Sequence, residues 1–395
     1  MRLPTFSCET VLAGRARIVD LRSPAEFARD HLPGAESVPL FDDQQRAIVG
    51  TLYKQESPAA AYEAGLRMVE GEMGAKLEQI LQRRVAPEEW GERFQELAAA
   101  LRQQMREPGV LLDGDAKLDE LGEQPLILHC WRGGMRSQSV ALLLRALGET
   151  QVGFLAGGYK AYRTWVMEQL AAYQESDFQL IVLRGATGVG KTEILRALEL
   201  RCPGSTLDLE GLAGHRSSVL GAVGLQPVSQ PTFESALLQR LQELGGQPVY
   251  VEGESRKVGD AILPEPLYRA MQSAPQLKLE APVAARVELL GRDYLGEAVL
   301  DGEPDGERLE ACAAALDGLR TKLGEARVDA LQRQLRSGAW REVTESLLHE
   351  HYDPLYAHGE RDRDYRATLD ATAPGLLDEI LALRGSAGAH RGQPG

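Results

Sequence analysis

The chain has 395 residues, 43% hydrophobic and 26% charged, a balance that suits a globular protein with room for two cores. Lys and Arg total 44 against 58 Asp and Glu, a net charge of −14, so a polyanionic partner would have to meet a local basic patch on an acidic body. No stretch approaches the roughly 18 uninterrupted apolar residues of a membrane helix, and the N-terminal MRLPTFSCET has no apolar signal core, so a cytoplasmic protein with no membrane partner is expected.

In chain order, ARIVDLR reads as a short buried strand. SPAEFARDH reads as a helix start, with Ser23 as N-cap before Pro24. LPGAESVPL is a turn followed by a strand, and a polar helix is expected from Glu88 to Arg106, where Trp90, Phe94, Leu97 and Leu101 recur at helical spacing. PLILHC is an apolar strand that delivers Cys130 to its end. After it come a helix in SQSVALLLRAL, a strand and turn in VGFLAGGYKAY and a closing helix in RTWVMEQL. This repeated β–α–β order predicts a parallel sheet covered by helices.

AAYQESD, residues 171 to 177, is the expected linker. Beyond it the strand FQLIVLRG runs into GATGVGKTEILRALE, and PVYVEGES and QLKLEAP add further strands. Residues from about 285 onward read as predominantly helical, and the last eleven, GSAGAHRGQPG, as a disordered tail. The expected architecture is therefore α/β: a parallel-sheet domain over 1–172, a phosphate-loop α/β domain with a helix-rich C-terminal part over 173–384, and a tail over 385–395.

Gly185, Gly190, Lys191 and Thr192 satisfy G-x-x-x-x-G-K-[ST], between an apolar strand and a helix-forming run as the motif requires. The glycines, Gly188 among them, let successive amides face an anion at a positive helix terminus. Lys191 is expected on a terminal phosphate and Thr192 on a magnesium ion. Glu252 and Glu254, ending PVYVEGES, are candidates to orient a metal-bound water or a nucleophile, and Arg256 and Lys257 make the segment after them basic. DLEGLAGHRSS gathers Asp208, Glu210, His215 and Arg216, a set that suits a metal, a phosphate or a base edge as well as a plain surface loop.

The four cysteines lie far apart, with no CxxC pair or zinc-type spacing. Cys130 alone has flanking cations. It sits where a strand gives way to a helix, so amides and the helix dipole favour its thiolate. Arg132 and Arg136 add positive charge, and Gly133 and Gly134 let the loop curl around a small anion. Cys8, Cys202 and Cys312 read as structural.

VDLRSPAEFARDHLPGAESVP resembles the entry motif of rhodanese domains, and CWRGGMRS resembles their active-site loop. With FDDQQRAIVGTLYKQESP, GATGVGKTEIL, DLEGLAGHRSS and HYDPLY added, the resemblance is to the tRNA 2-selenouridine synthase family, from about Ile18 to Tyr356. That resemblance implies a transferase acting on wobble 2-thiouridine of tRNA. It implies geranylation of the sulfur by geranyl diphosphate, then exchange of the geranylated sulfur for selenium from selenophosphate. On this reading Lys191, Thr192 with magnesium, and Arg256 stabilise the departing diphosphate, while Cys130, Arg132 and Arg136 handle the selenium donor. Covalent selenium on Cys130 and simple positioning of the donor are both open.

Candidate tRNA contacts are His215, Arg216 and Lys257, with Arg163, Arg256, Arg327, Arg333, Arg336 and Arg341 as further cations, and Tyr53 and Trp131 as stacking platforms for a splayed base. HYDPLY, with His351, Tyr352 and Asp353, reads either as a cap on a helix that Pro354 stops, the favoured reading, or as a segment that serves the active site. Two rival readings stand beside this one. One is a sulfurtransferase fused to an ATP-dependent small-molecule kinase, against which the absence of an obvious lid motif counts. The other is a redox-sensing nucleotide-binding module, against which the absence of an NKxD-type signal counts.

Overall fold

The computed structural model describes residues 3–104, 112–113, 118–245, 248–302, 304–360 and 363–384. The expected tail over 385–395 and the expected helix end at Arg106 lie outside the described residues. Two compact units form, Met1–Gln169 and Leu170–Gly395.

The first unit runs β1 (Leu3–Phe6), α1 (Cys8–Ala13), β2 (Arg17–Asp20), α2 (Pro24–Arg29), β3 (Glu36–Ser37), α3 (Asp43–Gln55), α4 (Pro58–Val69), α5 (Met73–Leu81), α6 (Pro87–Gln104), β4 (Leu112–Asp113), β5 (Leu126–His129), α7 (Met135–Ala146), β6 (Val152–Leu155) and α8 (Gly158–Ala172). Its sheet has the order β3-β2-β5-β6-β1-β4, and every pairing is parallel. β5 lies near the centre with all four residues buried, as an uninterrupted apolar strand covered on both faces should be.

Polar side chains set the helix starts. Ser7, Asp42 and Ser57 accept amide hydrogens at the heads of α1, α3 and α4, and Glu26 accepts the Ser23 amide at the head of α2. The helical spacing read in α6 buries Phe94 and Leu101 in the core with Trp90 and Leu97 against them. One expectation needs correction here. GYKAY is not a turn, because α8 already begins at Gly158. The expected linker follows directly on the division between the units after Gln169 and has local structure of its own, since Ala171 and Ala172 end α8 and Glu175–Asp177 form a 3₁₀ turn in which Asp177 accepts the Gln174 amide at 2.8 Å.

The second unit continues β7 (Leu180–Arg184), α9 (Lys191–Arg201), β8 (Thr206–Leu207), α10 (Leu209–Ala213), α11 (Gln230–Glu243), β9 (Val249–Glu252), the hairpin β10 (Lys257–Val258) and β11 (Ala261–Ile262), α12 (Glu265–Ser273), β12 (Gln276–Glu280), α13 (Val283–Leu295), α14 (Gly306–Ala315), α15 (Arg320–Leu323), α16 (Glu325–Arg336), α17 (Trp340–Leu347), α18 (Asp353–Gly359), β13 (Ala367–Asp370) and α19 (Leu376–Arg384). The parallel sheet has the order β13-β12-β7-β9-β8. One core packs α9 and α19 against it, with Ile181, Leu183, Leu195, Leu198 and Ile380 inside. A second core joins α13, α14, α16 and α17 through Leu290, Ala313, Leu331 and Val343.

The predominantly helical reading beyond 285 misses β13, which pairs along its own whole length with Leu277 to Glu280 of β12. ATLD is too short and too polar to announce itself, and its pairing with β12 decides its form. Pro354 does not stop a helix either. It opens α18, where its missing N–H costs nothing, and a π-turn over Leu348–Tyr352 joins α17 to it.

Candidate functional site

The cysteine loop joins the carboxyl end of β5 to α7. Cys130 is 3% exposed, and its Sγ lies 3.3 Å from Ser137 Oγ, with Ser137 donating to the Gly134 carbonyl at 3.2 Å. The loop is braced from outside. Tyr159 and Lys160, in the first turn of α8, donate their amides to the carbonyls of Cys130 and Trp131, both at 2.9 Å. The Gln138 side chain holds the Gly133 carbonyl at 2.9 Å, and the Gln138 amide holds that of Gly134 at 3.1 Å. Gly133 has φ +61, and a Cβ there would lie 2.7 Å from the Leu155 carbonyl oxygen, so only glycine closes this loop.

Arg136 stands in the first turn of α7 and reaches Glu26 Oε2 at 3.3 Å, while Arg46 takes the other oxygen at 3.0 Å. Arg136 is therefore a positioned cation rather than a loose one, and burial opposed by Arg136 and Arg46 leaves the Glu26 carboxyl below its usual range. Arg132 is exposed. Beneath the loop, Asp20 accepts the Arg22 guanidinium at 2.6 Å with both side chains fully buried. Arg22 also lies 3.8 Å over the Tyr159 ring, and the Tyr159 hydroxyl donates to Asp30 at 2.8 Å. His129, 0% exposed, sits 3.6 Å from Asp20, and burial drives its imidazole down to about 4.

The phosphate loop joins the carboxyl end of β7 to α9. Gly185, Gly188 and Gly190 all have positive φ. At Gly188, φ is +79 and a Cβ would lie 2.7 Å from Leu290 Cγ, so the loop is pressed against α13. Lys191 Nζ donates to the Gly185 carbonyl at 3.0 Å, lying across the loop. Arg286, 5% exposed, donates through Nε to the Thr187 carbonyl at 2.9 Å and is itself gripped by Asp353 of α18 at 2.5 and 3.1 Å.

The carboxylates gather beside Thr192, whose hydroxyl lies 3.4 Å from Glu210 Oε2. The Glu210 amide donates to Glu252 Oε1 at 2.7 Å, leaving the buried Glu252 Oε2 without a partner. Burial first, then Glu254, pushes Glu210 up to about 8. Burial and Asp208 raise Glu252 as well. Asp208 also caps α10, accepting the Gly211 amide at 2.7 Å. Among the described residues no three acidic, His or Cys side chains converge as a ready-made metal cage. A hydroxyl beside crowded carboxylates nonetheless fits magnesium, which binds through one or two such groups plus phosphate oxygens.

The remaining candidates disperse. Arg216, expected at an RNA face, donates to the carbonyls of Val223 and Asp293 at 2.9 and 3.0 Å and lies over the Tyr294 ring, so its role is internal. His215 is half-buried with Nδ1 unpartnered. Arg256 pairs with Glu265 at 3.0 Å and Lys257 with Asp260 at 3.0 Å on the exposed hairpin. Arg163 lies 3.8 Å from Asp30, and Arg327, Arg336 and Arg341 pair with Glu350, Glu310 and Glu288. Trp131 is 36% exposed, tilted on Tyr159 at 5.3 Å, and Tyr53 is 58% exposed on α3. Burial pushes Cys8 and Cys312 up to about 12, as inert thiols require. Sequence reasoning missed Ser137, Glu26 and Arg286. The first two stood inside quoted motifs, whereas nothing near Arg286 marks it.

Two parallel-sheet units, one presenting a cysteine loop of rhodanese type and the other a lysine-bearing phosphate loop, define a two-unit α/β protein that joins a rhodanese-like domain to a P-loop domain. The rhodanese-like domain profile matches residues 95–164, and a profile described as the tRNA 2-selenouridine synthase AAA domain matches residues 178–379. The chain belongs to the tRNA 2-selenouridine synthase family. A protein of that name from Pseudomonas putida (strain GB-1) is 34% identical across 86% of this chain and 87% of its own. Those from Bordetella bronchiseptica and Cupriavidus necator are 34% and 33% identical, across 96% and 97% of this chain and 98% of each of theirs. No helix among the described residues is long and apolar enough to cross a membrane.

Proposed function

We propose that this enzyme converts the wobble 2-thiouridine of tRNA to 2-selenouridine in two chemically separate steps, each served by one anion-binding loop. The observation that carries the reading is that a single chain of this family holds both a cysteine cradle flanked by Arg132 and Arg136 and a phosphate loop crossed by Lys191.

In the first step the thiouridine sulfur attacks C1 of geranyl diphosphate, the carbon–oxygen bond breaks, and the diphosphate leaves with the electron pair. Amides of the phosphate loop and Lys191 stabilise that charge where it develops. Thr192 and Glu210 would hold magnesium, which supplies further neutralisation of the diphosphate oxygens. The base loses its N3 proton to water as the sulfur is alkylated.

In the second step selenium from selenophosphate adds to C2 of the modified base, and the geranylated sulfur departs as a thiol. S-alkylation makes that sulfur the better leaving group. Cys130 and Arg136 sit where the selenophosphate would bind. Mass spectrometry of nucleosides from 2-thiouridine tRNA incubated with the protein, geranyl diphosphate, magnesium and selenophosphate tests the scheme. S-geranyl-2-thiouridine should form without the selenium donor and 2-selenouridine with it; selenation that proceeds without any isoprenoid diphosphate would refute the two-step order.

A further inference from the structure

From the geometry of the cysteine loop we infer that Cys130 attacks the phosphorus of selenophosphate, so that the covalent intermediate is a phosphocysteine and selenium leaves as hydroselenide. This rests on the reading of selenophosphate as the donor and assigns the bond that Cys130 makes.

The first observation is the direction of the loop's amides. The carbonyls of Cys130, Trp131 and Gly133 are held by the Tyr159 amide, the Lys160 amide and the Gln138 side chain, whereas that of Gly134 faces the Cys130 thiol, which donates to it at 3.9 Å. A trans peptide directs its N–H opposite to its C=O, so the amides of Trp131, Arg132 and Gly134 face away from those holds. Among the described residues, none of the amides from Trp131 to Arg136 donates to a protein acceptor. A curl of unpaired amides closing on a helix N-terminus is a seat for an anion with several oxygens, which describes a phosphoryl group and not a lone selenium atom.

The second observation is the spacing. Five residues separate Cys130 from Arg136, so the thiol stands at the start of the loop and Arg136 in the first turn of α7 that closes it. Glu26 fixes Arg136 through one nitrogen at 3.3 Å, leaving the fork's other donors to span two phosphoryl oxygens. Ser137, fully buried with Oγ 3.3 Å from Sγ, can donate to the sulfur when it carries charge. Sulfur leaving phosphorus needs such a donor.

Electron balance selects between the two possible adducts. Selenophosphate carries selenium at the selenide level. Joining it to a cysteine thiolate as a perselenide would remove two electrons from the pair and require an oxidant, and neither the loop nor the reaction supplies one. Attack at phosphorus needs none. The sulfur–phosphorus bond forms and the phosphorus–selenium bond breaks, its electron pair leaving on selenium, which takes the thiol proton and departs as hydroselenide. Water then attacks the phosphocysteine, releasing inorganic phosphate and restoring the thiol with a proton from water. Hydroselenide adds to C2 of the S-geranylated base, and geranyl thiolate leaves.

The test mixes full-length protein with selenophosphate and an S-geranylated anticodon stem-loop, quenches on the millisecond scale and weighs the peptide carrying Cys130, for the wild type and for Ser137→Ala. A phosphoryl adduct lacking the selenium isotope pattern is expected, accumulating at least several-fold more in Ser137→Ala because sulfur leaves phosphorus more slowly. Should that variant not fold, thiophosphate with the wild type replaces it. Hydrogen sulfide and phosphate should then appear in equal amounts, and Cys130→Ser should abolish both. Selenium on Cys130, or turnover with no phosphoryl adduct and no sulfide release, overturns the assignment. If the wild type forms no 2-selenouridine from selenophosphate at all, the functional reading fails instead.

Discussion

Asp353 grips Arg286 through two hydrogen bonds of 2.5 and 3.1 Å across 67 residues of sequence, and Arg286 passes the grip to the Thr187 carbonyl of the phosphate loop. HYDPLY is thus tied to GATGVGKT by one guanidinium. Removing Asp353 leaves a nearly buried cation with half its partners, a situation that destabilises. Asp353 is itself 31% exposed, so the loss is moderated by solvent. Asp353→Asn should lower stability by about 1–2 kcal/mol and weaken inorganic diphosphate binding several-fold, while Arg286→Lys, which cannot fork, should do both more severely. Calorimetric titration with diphosphate, beside thermal unfolding, checks this; unchanged affinity in both variants would detach the clamp from the loop's function.

Cys130→Ser is expected to let S-geranylated tRNA accumulate while 2-selenouridine disappears. Nucleoside mass spectrometry reads both products in one sample. Joint loss of the two would mean that the cysteine loop also serves alkylation.

The Lys191→Ala variant should show the reverse pattern. Its geranyl transfer should fall by at least about 100-fold, the scale of losing one charge-stabilising donor, yet selenation of a pre-geranylated oligonucleotide should continue. Normal geranyl transfer by this variant would remove the diphosphate from the phosphate loop.

Burial holds His129 at about 4, below the usual histidine value. The folded state therefore resists its protonation while the unfolded chain accepts it, and stability present above about 6.5 declines as pH falls toward 4. Unfolding temperature of the wild type should drop across that window, and His129→Gln should flatten the drop even if it lowers the plateau. An equally steep decline in the variant would place the titration on another group.

Much of this architecture was legible because chain-local signals set it. The apolar runs at β5 and β7 announce central parallel strands, and the loops after them carry their chemistry in contiguous residues. What escaped depends on partners distant in sequence. β13 is strand only because β12 lies beside it, and Arg216 is an internal brace only because the carbonyls of Val223 and Asp293 face it. Arg286 looks like any helix arginine until Asp353 and Thr187 meet it. Pro354 misled for another reason, since the residue that ends one helix is equally suited to begin the next.

The outward anchoring of the Cys130 and Trp131 carbonyls by the first turn of α8 has a thermodynamic consequence. A free loop of this length would lose backbone freedom on closing around its guest, to the extent of roughly 1–2 kcal/mol for each residue fixed. Here that ordering is completed when the polypeptide folds, so the small, heavily hydrated anion proposed for this loop would meet a receptor already in shape, its affinity not eroded by freezing the host.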